Sequence, residues 1–474
     1  MSLGLRVFGL GVASAIGYAI IARAAGAAGF PLDDAWIHQT YARNLGWHGQ
    51  WAFILDQPSA GSTSPLWTMA LAIGYALRLD YAIWTLALNA VLLGALAWLT
   101  YKLTGHWWAG ALAAIEWHLA WAAASGMETI LFCVLAIAVW VIATKGGSPV
   151  WGGVLTGLSV WTRPDGLLLL PFIGWSVWAQ DGEGLLGAAL SHRVKRLSRL
   201  AGGAAAILIP YFVFNIVLSG QVWPNTFFAK QAEYAVLFER VPGWRLAGEI
   251  FASPFVGALL LLLPGIALGA RGRWIQLLWV CTFLLSYALR LPVAYQHGRY
   301  LIPVIPMLIV AGSEGLARWV QLNAAAMGRR VLSRAWVSGV GAAAAAFWLV
   351  GASALVADLT VIDSEMVATA KWAAANVPSG SVVAAHDIGA LGYFAQVQLI
   401  DLAGLVSPDV IPLMNDEARL WGFVQQNGAE YLITYPGWCP GFTREAVLRP
   451  VFQTGPLCDP ANPNSHMTVY AFRR

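Results

Sequence analysis

Runs of about 20 apolar residues recur in this chain between residues 5 and 357, and they limit its fold more than any other feature. A helix rises about 1.5 Å per residue, so such a run crosses a hydrocarbon layer of roughly 30 Å. Only 11% of the residues are charged and 58% are hydrophobic, against the ~25% charge usual in soluble domains. The expected fold class is a polytopic α-helical membrane protein. From residue 358 to residue 474 the composition becomes that of a soluble domain, long enough for one small unit. Two domains are therefore expected: a membrane domain over 1–357 and a C-terminal α/β domain over 358–474.

A first span over Leu5–Ala25 shows no small-residue cleavage site, so it reads as a retained helix. Further spans fit 80–101, 106–124, 127–144, 149–162, 165–180, 200–218, 252–270, 274–290, 300–319 and 335–357, about eleven in all. The apolar stretch from Pro65 to Leu79 is short and follows a proline, and is expected to be juxtamembrane, within a first external loop over 26–79. With the N-terminus cytoplasmic, Lys102, Lys145, "SHRVKRLSR" (191–199), "RGR" (271–273) and "GRRVLSR" (328–334) all fall on the cytoplasmic side, as positive residues prefer. The C-terminal domain then lies outside the cell, in a bacterial cytoplasmic membrane. Cys133 and Cys281 fall within spans as small hydrophobes, whereas Cys439 and Cys458 lie in the external domain, where a disulfide between them is expected.

The polar motifs collect on the outer loops: "PLDDAWIHQTYARNLG" (31–46), "GSTSPLW" (61–67), "SGMETI" (125–130), "TRPDG" (162–166), "WPNTFFAKQAEY" (223–234) and "YQHGRYLIP" (295–303). Irregular polar backbone persists near a bilayer where it packs on protein or lines a wet cavity. His38, Tyr41, Glu128, Asn225 and Tyr295 are candidate lining residues of such a cavity. No glycine-rich nucleotide loop is present, which argues against a nucleotide-driven reaction.

Asp33 and Asp34 stand just after the first span. Ile37, Tyr41 and Leu45 follow at i, i+4, i+8, so this segment can form an amphipathic helix on the membrane surface with one Asp as its N-cap. A single cap does not account for two acids, and acids near hydrocarbon tend to be functional. Arg163, Lys230, His297 and Arg299 come from three outer loops. Each can snorkel to headgroups or pair with Glu128 or Asp165; together they form a candidate phosphate clamp. Glu116 and His118, inside the span 106–124, are expected to hydrogen-bond between helices. The 25 Trp residues are assigned mainly to interfacial belts.

In their order, the acidic pair, "YARNL", "GSTSPLW", "SGMET", "TRPDG", "PNTFFAK" and "GRYLIPVIP" resemble the polyprenyl-phosphate-sugar-dependent glycosyltransferases of the GT-C superfamily, in particular its AftB-like (terminal arabinofuranosyltransferase-like) bacterial branch. The likeness covers roughly residues 5–320, with "HDIGALGYF" (386–394) and "DLAGLVSPDV" (401–410) resembling the external domain of such proteins. The resemblance implies inverting sugar transfer at the outer membrane face from a lipid-linked donor to a glycan, lipid or protein hydroxyl. It makes Asp33 the favoured general base, with Asp34 orienting the acceptor or helping to bind a divalent cation where one is used. No metal ligand set and no nucleic-acid partner are read from the chain.

That chemistry needs a base at the attacking hydroxyl and positive charge at the departing phosphate. A separate acid is unnecessary because the leaving group is already a phosphate, unlike the two-carboxylate arrangement of hydrolases. The competing class is a transporter or flippase of lipid-linked glycans, which is expected to show internal repeats and mid-membrane ionisable residues. In the tail, "GSVVAAHDIGALGYF" reads as strand, turn and helix and "QVQLIDLAGL" as a further strand, with His386 and Asp387 as turn residues.

Overall fold

The computed structural model describes residues 2–179, 186–323, 327–438, 440–455 and 466–473. Cys439 and Cys458 lie outside the described residues, and with them the expected disulfide. Six of the described helices are long and apolar enough to cross a membrane: Leu3–Ala24, Tyr81–Thr104, Leu190–Ser219, Ala258–Arg290, Tyr295–Leu322 and the helical run Met327–Asn376. Pro65–Ala76 and Thr129–Thr144 are shorter apolar helices. The chain divides into two compact units.

The first unit comprises Met1–Ile21, Thr85–Val213 and Val241–Leu355. Small residues let its helices approach to backbone contact. A Cβ on Gly315 would stand 1.8 Å from the Gly265 carbonyl oxygen, and one on Gly269 2.1 Å from that of Ala311. Helices packed this closely gain dispersion contacts that lipid cannot supply. Several expected spans are not continuous helices: 252–270 and 300–319 pass through 3-10 turns, Ser253–Phe255 and Ile302–Val304, and two others are interrupted as follows. The run 106–124 breaks at Glu116, whose backbone is extended and whose carboxylate accepts from the Leu119 amide at 3.0 Å and contacts His118 Nδ1 at 2.7 Å. Glu116 and His118 thus start the helix Trp117–Ala124, bonding to each other and to the Leu119 amide and, among the described residues, to no neighbouring helix. The run 165–180 begins as a 3-10 turn, Pro164–Leu168, before the helix Leu169–Ala179. The expected spans 252–270 and 274–290 are joined in one helix, Ala258–Arg290, kinked at Arg273, whose guanidinium pairs with Glu314.

The second unit comprises Ala22–Trp84, Phe214–Arg240 and Val356–Arg474. It holds a short hairpin, β1 (Ala52–Ile54) and β2 (Gln57–Pro58), and a five-stranded sheet of β3 (Val382–Ala385), β4 (Gln398–Asp401), β5 (Tyr431–Thr434), β6 (Leu448–Gln453) and β7 (Thr468–Phe472) in the order β4-β3-β5-β7-β6. β3 runs parallel to β4 and β5, and β7 runs antiparallel to β5 and β6. Alternation along the strands divides the core between the two faces. Val383, Ala385 and Ile433 pack with Ala373 and Val377 on one; Ala384 and Leu432 pack with Leu420, Val424 and Phe442 on the other.

The segment after the first span forms the helix Asp33–His48. Its Ile37 and Tyr41 are buried in the same apolar cluster as Val383, Ala385 and Leu391, so the apolar stripe faces protein and not a membrane surface. Neither Asp caps this helix: Leu32 occupies the cap, and Asp33 and Asp34 are its first two residues.

Candidate active site

Within the second unit, the helix Asp33–His48 grips the short helix Gly389–Phe394 at both ends. Asp33 Oδ2 accepts from the Gly389 amide at 2.7 Å and Oδ1 from the Ala390 amide at 2.8 Å. At the other end Arg43 donates to the Tyr393 carbonyl at 2.6 Å and lies over the Tyr393 ring. A carboxylate on free amides and a guanidinium on free carbonyls both satisfy groups that a helix end leaves open. The approach requires glycine, since a Cβ on Gly389 would stand 2.0 Å from the Asp33 carbonyl oxygen.

Asp34 points elsewhere: its Oδ2 lies 3.1 Å from Lys230 Nζ, on the helix Asn225–Tyr234. The turn after β3 adds His386, whose Nε2 stands 3.8 Å from Glu233 Oε1 and whose Nδ1 stands 3.8 Å from Asp387 Oδ1. These are ion-pair distances too long for hydrogen bonds. Both His386 Nδ1 and Asp387 Oδ2 are buried without a hydrogen-bond partner among the described residues. The Trp438 ring meets His386 edge-on, with centroids 4.6 Å apart.

Four acids, Asp33, Asp34, Glu233 and Asp387, thus share a region with two cations, Lys230 and His386. Burial raises the Asp33 carboxyl to about 7, aided by the charges of Asp387 and Asp34 and opposed by its two amide donors. For His386 burial acts downward, but the carboxylates of Asp387, Glu233 and Asp401 outweigh it and carry the imidazole to about 9. Asp401 is raised to about 6 by burial, against the Val406 and Ala403 amides it accepts from, and so holds the turn after β4.

The polar sequence motifs of this unit mostly brace it. His38 is buried 3.1 Å from the Thr68 hydroxyl and 3.3 Å from that of Ser62, tying "GSTSPLW" to the helix. Tyr41 accepts from the Gly61 amide at 2.9 Å, and Asn44 donates to the carbonyls of Ala52 and Phe53 in β1. Asn225 is buried and its amide donates to the Ala60 carbonyl.

In the first unit, Arg163 is buried and forked onto Asp165 at 3.2 and 3.3 Å, with the Tyr287 hydroxyl at 2.6 Å and Glu128 at 3.7 Å. Its charge is largely committed to these partners. Arg299, also buried, donates to the Tyr300 hydroxyl at 2.9 Å. Next to it Gln296, His297 and Gly298 are all left-handed, with φ of 51°, 61° and 62°. Two such non-glycine residues in a row store strain, which clusters at functional sites. His297 is set edge-on between Trp117 and Trp121, while Tyr295 is exposed. The expected clamp residues are therefore divided: Arg163, His297 and Arg299 in this unit, Lys230 in the other.

The whole chain resembles solved structures in its fold. It aligns over 96% of its length with 97% of ArnT from Cupriavidus metallidurans bound to undecaprenyl phosphate, with a TM-score of 0.57 and 14% identity. The apo state of ArnT aligns over 94% of this chain and 93% of its own, with a TM-score of 0.52 and 13% identity. The chain shares the ArnT fold. Residues 360–470, which carry all five strands of the large sheet apart from the end of β7, match a domain of unknown function, DUF8728. No curated protein sequence matches the chain.

In this chain the acidic pair sits on a helix whose partners come from far along the sequence. His386, Asp387, Glu233 and Gly389 are the site residues that sequence reasoning missed or assigned only to a turn. The signal was present in "HDIGALGYF", where a His-Asp pair precedes the glycine that Asp33 reaches. Among the described residues no group of three or more His, Cys, Asp or Glu side chains is arranged to hold a metal ion.

Proposed function

We propose that the chain is an integral-membrane inverting glycosyltransferase of the GT-C type, moving a sugar from a polyprenyl-phosphate donor to an acceptor hydroxyl. The observation that carries the reading is Asp33: a half-buried carboxylate, aimed by two amides and raised to about 7 among other acids. A general base works best when its affinity for a proton matches the working pH. Asp34 is instead engaged by the Lys230 ammonium at 3.1 Å.

In this reading the Asp33 carboxylate takes the proton of the acceptor hydroxyl as its oxygen bonds to the anomeric carbon. The bond from that carbon to the phosphate oxygen breaks, and its electron pair leaves with the polyprenyl phosphate. One displacement inverts the anomeric centre. Lys230, held by Asp34, opposes the charge gathering on the phosphate. Protonated His386 and Asp387, with polar atoms left over, are proposed to orient the acceptor. The undecaprenyl phosphate bound to ArnT supports a polyprenyl carrier here. The AftB-like branch, about eleven spans, an outward-facing C-terminal domain and a cell-envelope acceptor complete the reading.

The test is to incubate purified protein with a panel of polyprenyl-phosphate pentoses and hexoses and simple acceptors. Release of polyprenyl phosphate with formation of an inverted glycoside supports it. If Asp33→Asn and Asp34→Asn both transferred sugar at the wild-type rate, the base assignment would be wrong. Movement of labelled lipid across liposomes without donor consumption would favour a flippase instead.

A further inference from the structure

The large sheet of the second unit is wound in both directions from its centre. The chain leaves β3 through the helix Gly389–Phe394 for β4 on one side, and leaves β5 through the turn Phe442–Arg444 for β6 and β7 on the other. These connections also cover opposite faces: Leu391 packs with Val383 and Ala385, and Phe442 with Ala384 and Leu432. β3 and β5 are parallel neighbours, so their carboxyl ends lie side by side where the winding reverses. There the loops diverge and leave a crevice, the usual ligand position of an open α/β sheet.

Both loops bring aromatic and polar side chains to that crevice. His386 and Asp387 follow β3 directly, Tyr435 follows β5, and the Trp438 amide closes the next turn on the Tyr435 carbonyl at 3.0 Å. The Trp438 ring centroid is 4.6 Å from that of His386 at 65° and 4.8 Å from that of Tyr435 at 53°. Neither ring lies flat on the indole, which is 48% exposed. Among the described residues the Tyr435 hydroxyl donates to Met366 Sδ at 3.8 Å, a weak acceptor. Burial, with the charges of Glu365, Asp387 and Asp33, raises its pKa and keeps it a donor.

An open indole face beside a carboxylate, an imidazolium and a phenol suits a sugar ring. One side of a pyranose or furanose presents C–H groups that stack on an aromatic face, and its rim presents hydroxyls that both donate and accept. A hydrocarbon tail would leave the polar groups unpaired, and a phosphate would meet the like charges of Asp387 and Glu233.

We propose that this crevice holds one ring of a saccharide, stacked on Trp438 with its hydroxyls toward Asp387, His386 and Tyr435, and that the acceptor of the transfer is therefore a glycan. The acceptor role rests on Asp33 as the base, which reaches the helix following the same turn; the sugar site itself does not. A tryptophan that merely packs on the turn is the competing explanation.

Saturation-transfer difference NMR reads the site, using the purified full chain in a sugar-free detergent, millimolar methyl pentofuranosides and methyl hexopyranosides, and no donor lipid. The expected result is saturation of the ring C–H protons of at least one glycoside and none of sorbitol, which has the hydroxyls without the ring. Affinity for that glycoside should fall about tenfold in Trp438→Ala, be partly kept in Trp438→Phe and stay unchanged in Trp244→Ala, which removes an indole that is 79% exposed in the first unit. Trp438→Ala should keep the parent unfolding temperature. No glycoside signal, an equal sorbitol signal, or equal affinity in Trp438→Ala and the parent overturns the proposal; a lowered unfolding temperature without glycoside binding assigns Trp438 to packing and overturns it too. In the donor assay, Trp438→Ala should raise the acceptor KM about tenfold with kcat within about twofold. Donor consumption with an unchanged acceptor KM overturns the acceptor role and leaves sugar transfer standing. Glycoside binding without any donor consumption refutes the transfer and leaves the sugar site standing.

Discussion

Replacing Asp33 by Asn separates catalysis from stability in opposite directions. The folded carboxyl sits at about 7 against 3.8 in its ordinary state. A carboxyl shifted that far costs on the order of 4 kcal/mol when ionised well above neutrality. The folded value is the raised one, so the Asp33 contribution to stability is complete below about pH 4 and is lost as pH rises through about 7. Asn removes the charge but keeps only one acceptor, giving up one of the two amide bonds from Gly389 and Ala390, worth roughly 1.5–3 kcal/mol to a charged partner. At pH 8 the variant is expected to be about as stable as the parent or up to ~2 kcal/mol more so. At pH 5 the folded carboxyl is protonated but its unfolded counterpart is ionised, so about 1.6 kcal/mol of that cost already applies, and the variant is expected to lie within about 1 kcal/mol of the parent. Transfer activity falls about 10²- to 10⁴-fold throughout, as for loss of a general base. Thermal unfolding of both proteins in the same detergent at pH 5 and pH 8, beside donor turnover, gives the comparison. A variant that is relatively less stable at pH 8 than at pH 5 refutes the view of Asp33 as an acid held at energetic cost.

Gly389→Ala forces a methyl group to within 2.0 Å of the Asp33 carbonyl oxygen, so the two helices part; a loss of about 1–3 kcal/mol in thermal unfolding and of about 10²-fold in turnover is expected. Lys230→Met leaves Asp34 without its ammonium, and kcat/KM for the donor should fall roughly 10- to 150-fold, with partial recovery in Lys230→Arg. Imidazolium formation at His386 stabilises the fold fully below pH 6.5 and ceases to as pH rises through about 9. His386→Asn should therefore lower the unfolding temperature most at pH 6 and least at pH 10. Arg163→Met strands Asp165 and Glu128 and should cost about 3–5 kcal/mol, while Arg163→Met/Asp165→Asn should cost less than the single change; strictly additive losses would refute a shared network.

The sequence exposed those features whose cause is local. Apolar runs announce spanning helices because lipid leaves no other way to satisfy a backbone, and the 382–401 segment reads as strand, turn, helix and strand from its own alternation and glycines. The break at Glu116 was not legible: it is not next to a proline, and it is stabilised by a partner, His118, that periodicity does not weigh, whereas the kink at Arg273 falls where the charged "RGR" separates two expected spans. The acidic pair divides the same way. From nearby residues alone one of the two acids looks like a cap and the other is left unexplained, yet Asp33 bonds to amides 356 and 357 residues later, and Asp34 to a lysine 196 residues later. A carboxylate with a local helix end available is instead used on a remote one, because the buried stripe of Ile37 and Tyr41 brings that helix within reach. The same packing that orients Asp33 also buries it, and sets it near Asp387 and Asp34, and so raises its proton affinity. Orientation and basicity thus have a single origin, and a substitution that loosens the helix pair, such as Gly389→Ala, should shift the pH profile of transfer to lower pH as well as reduce its rate.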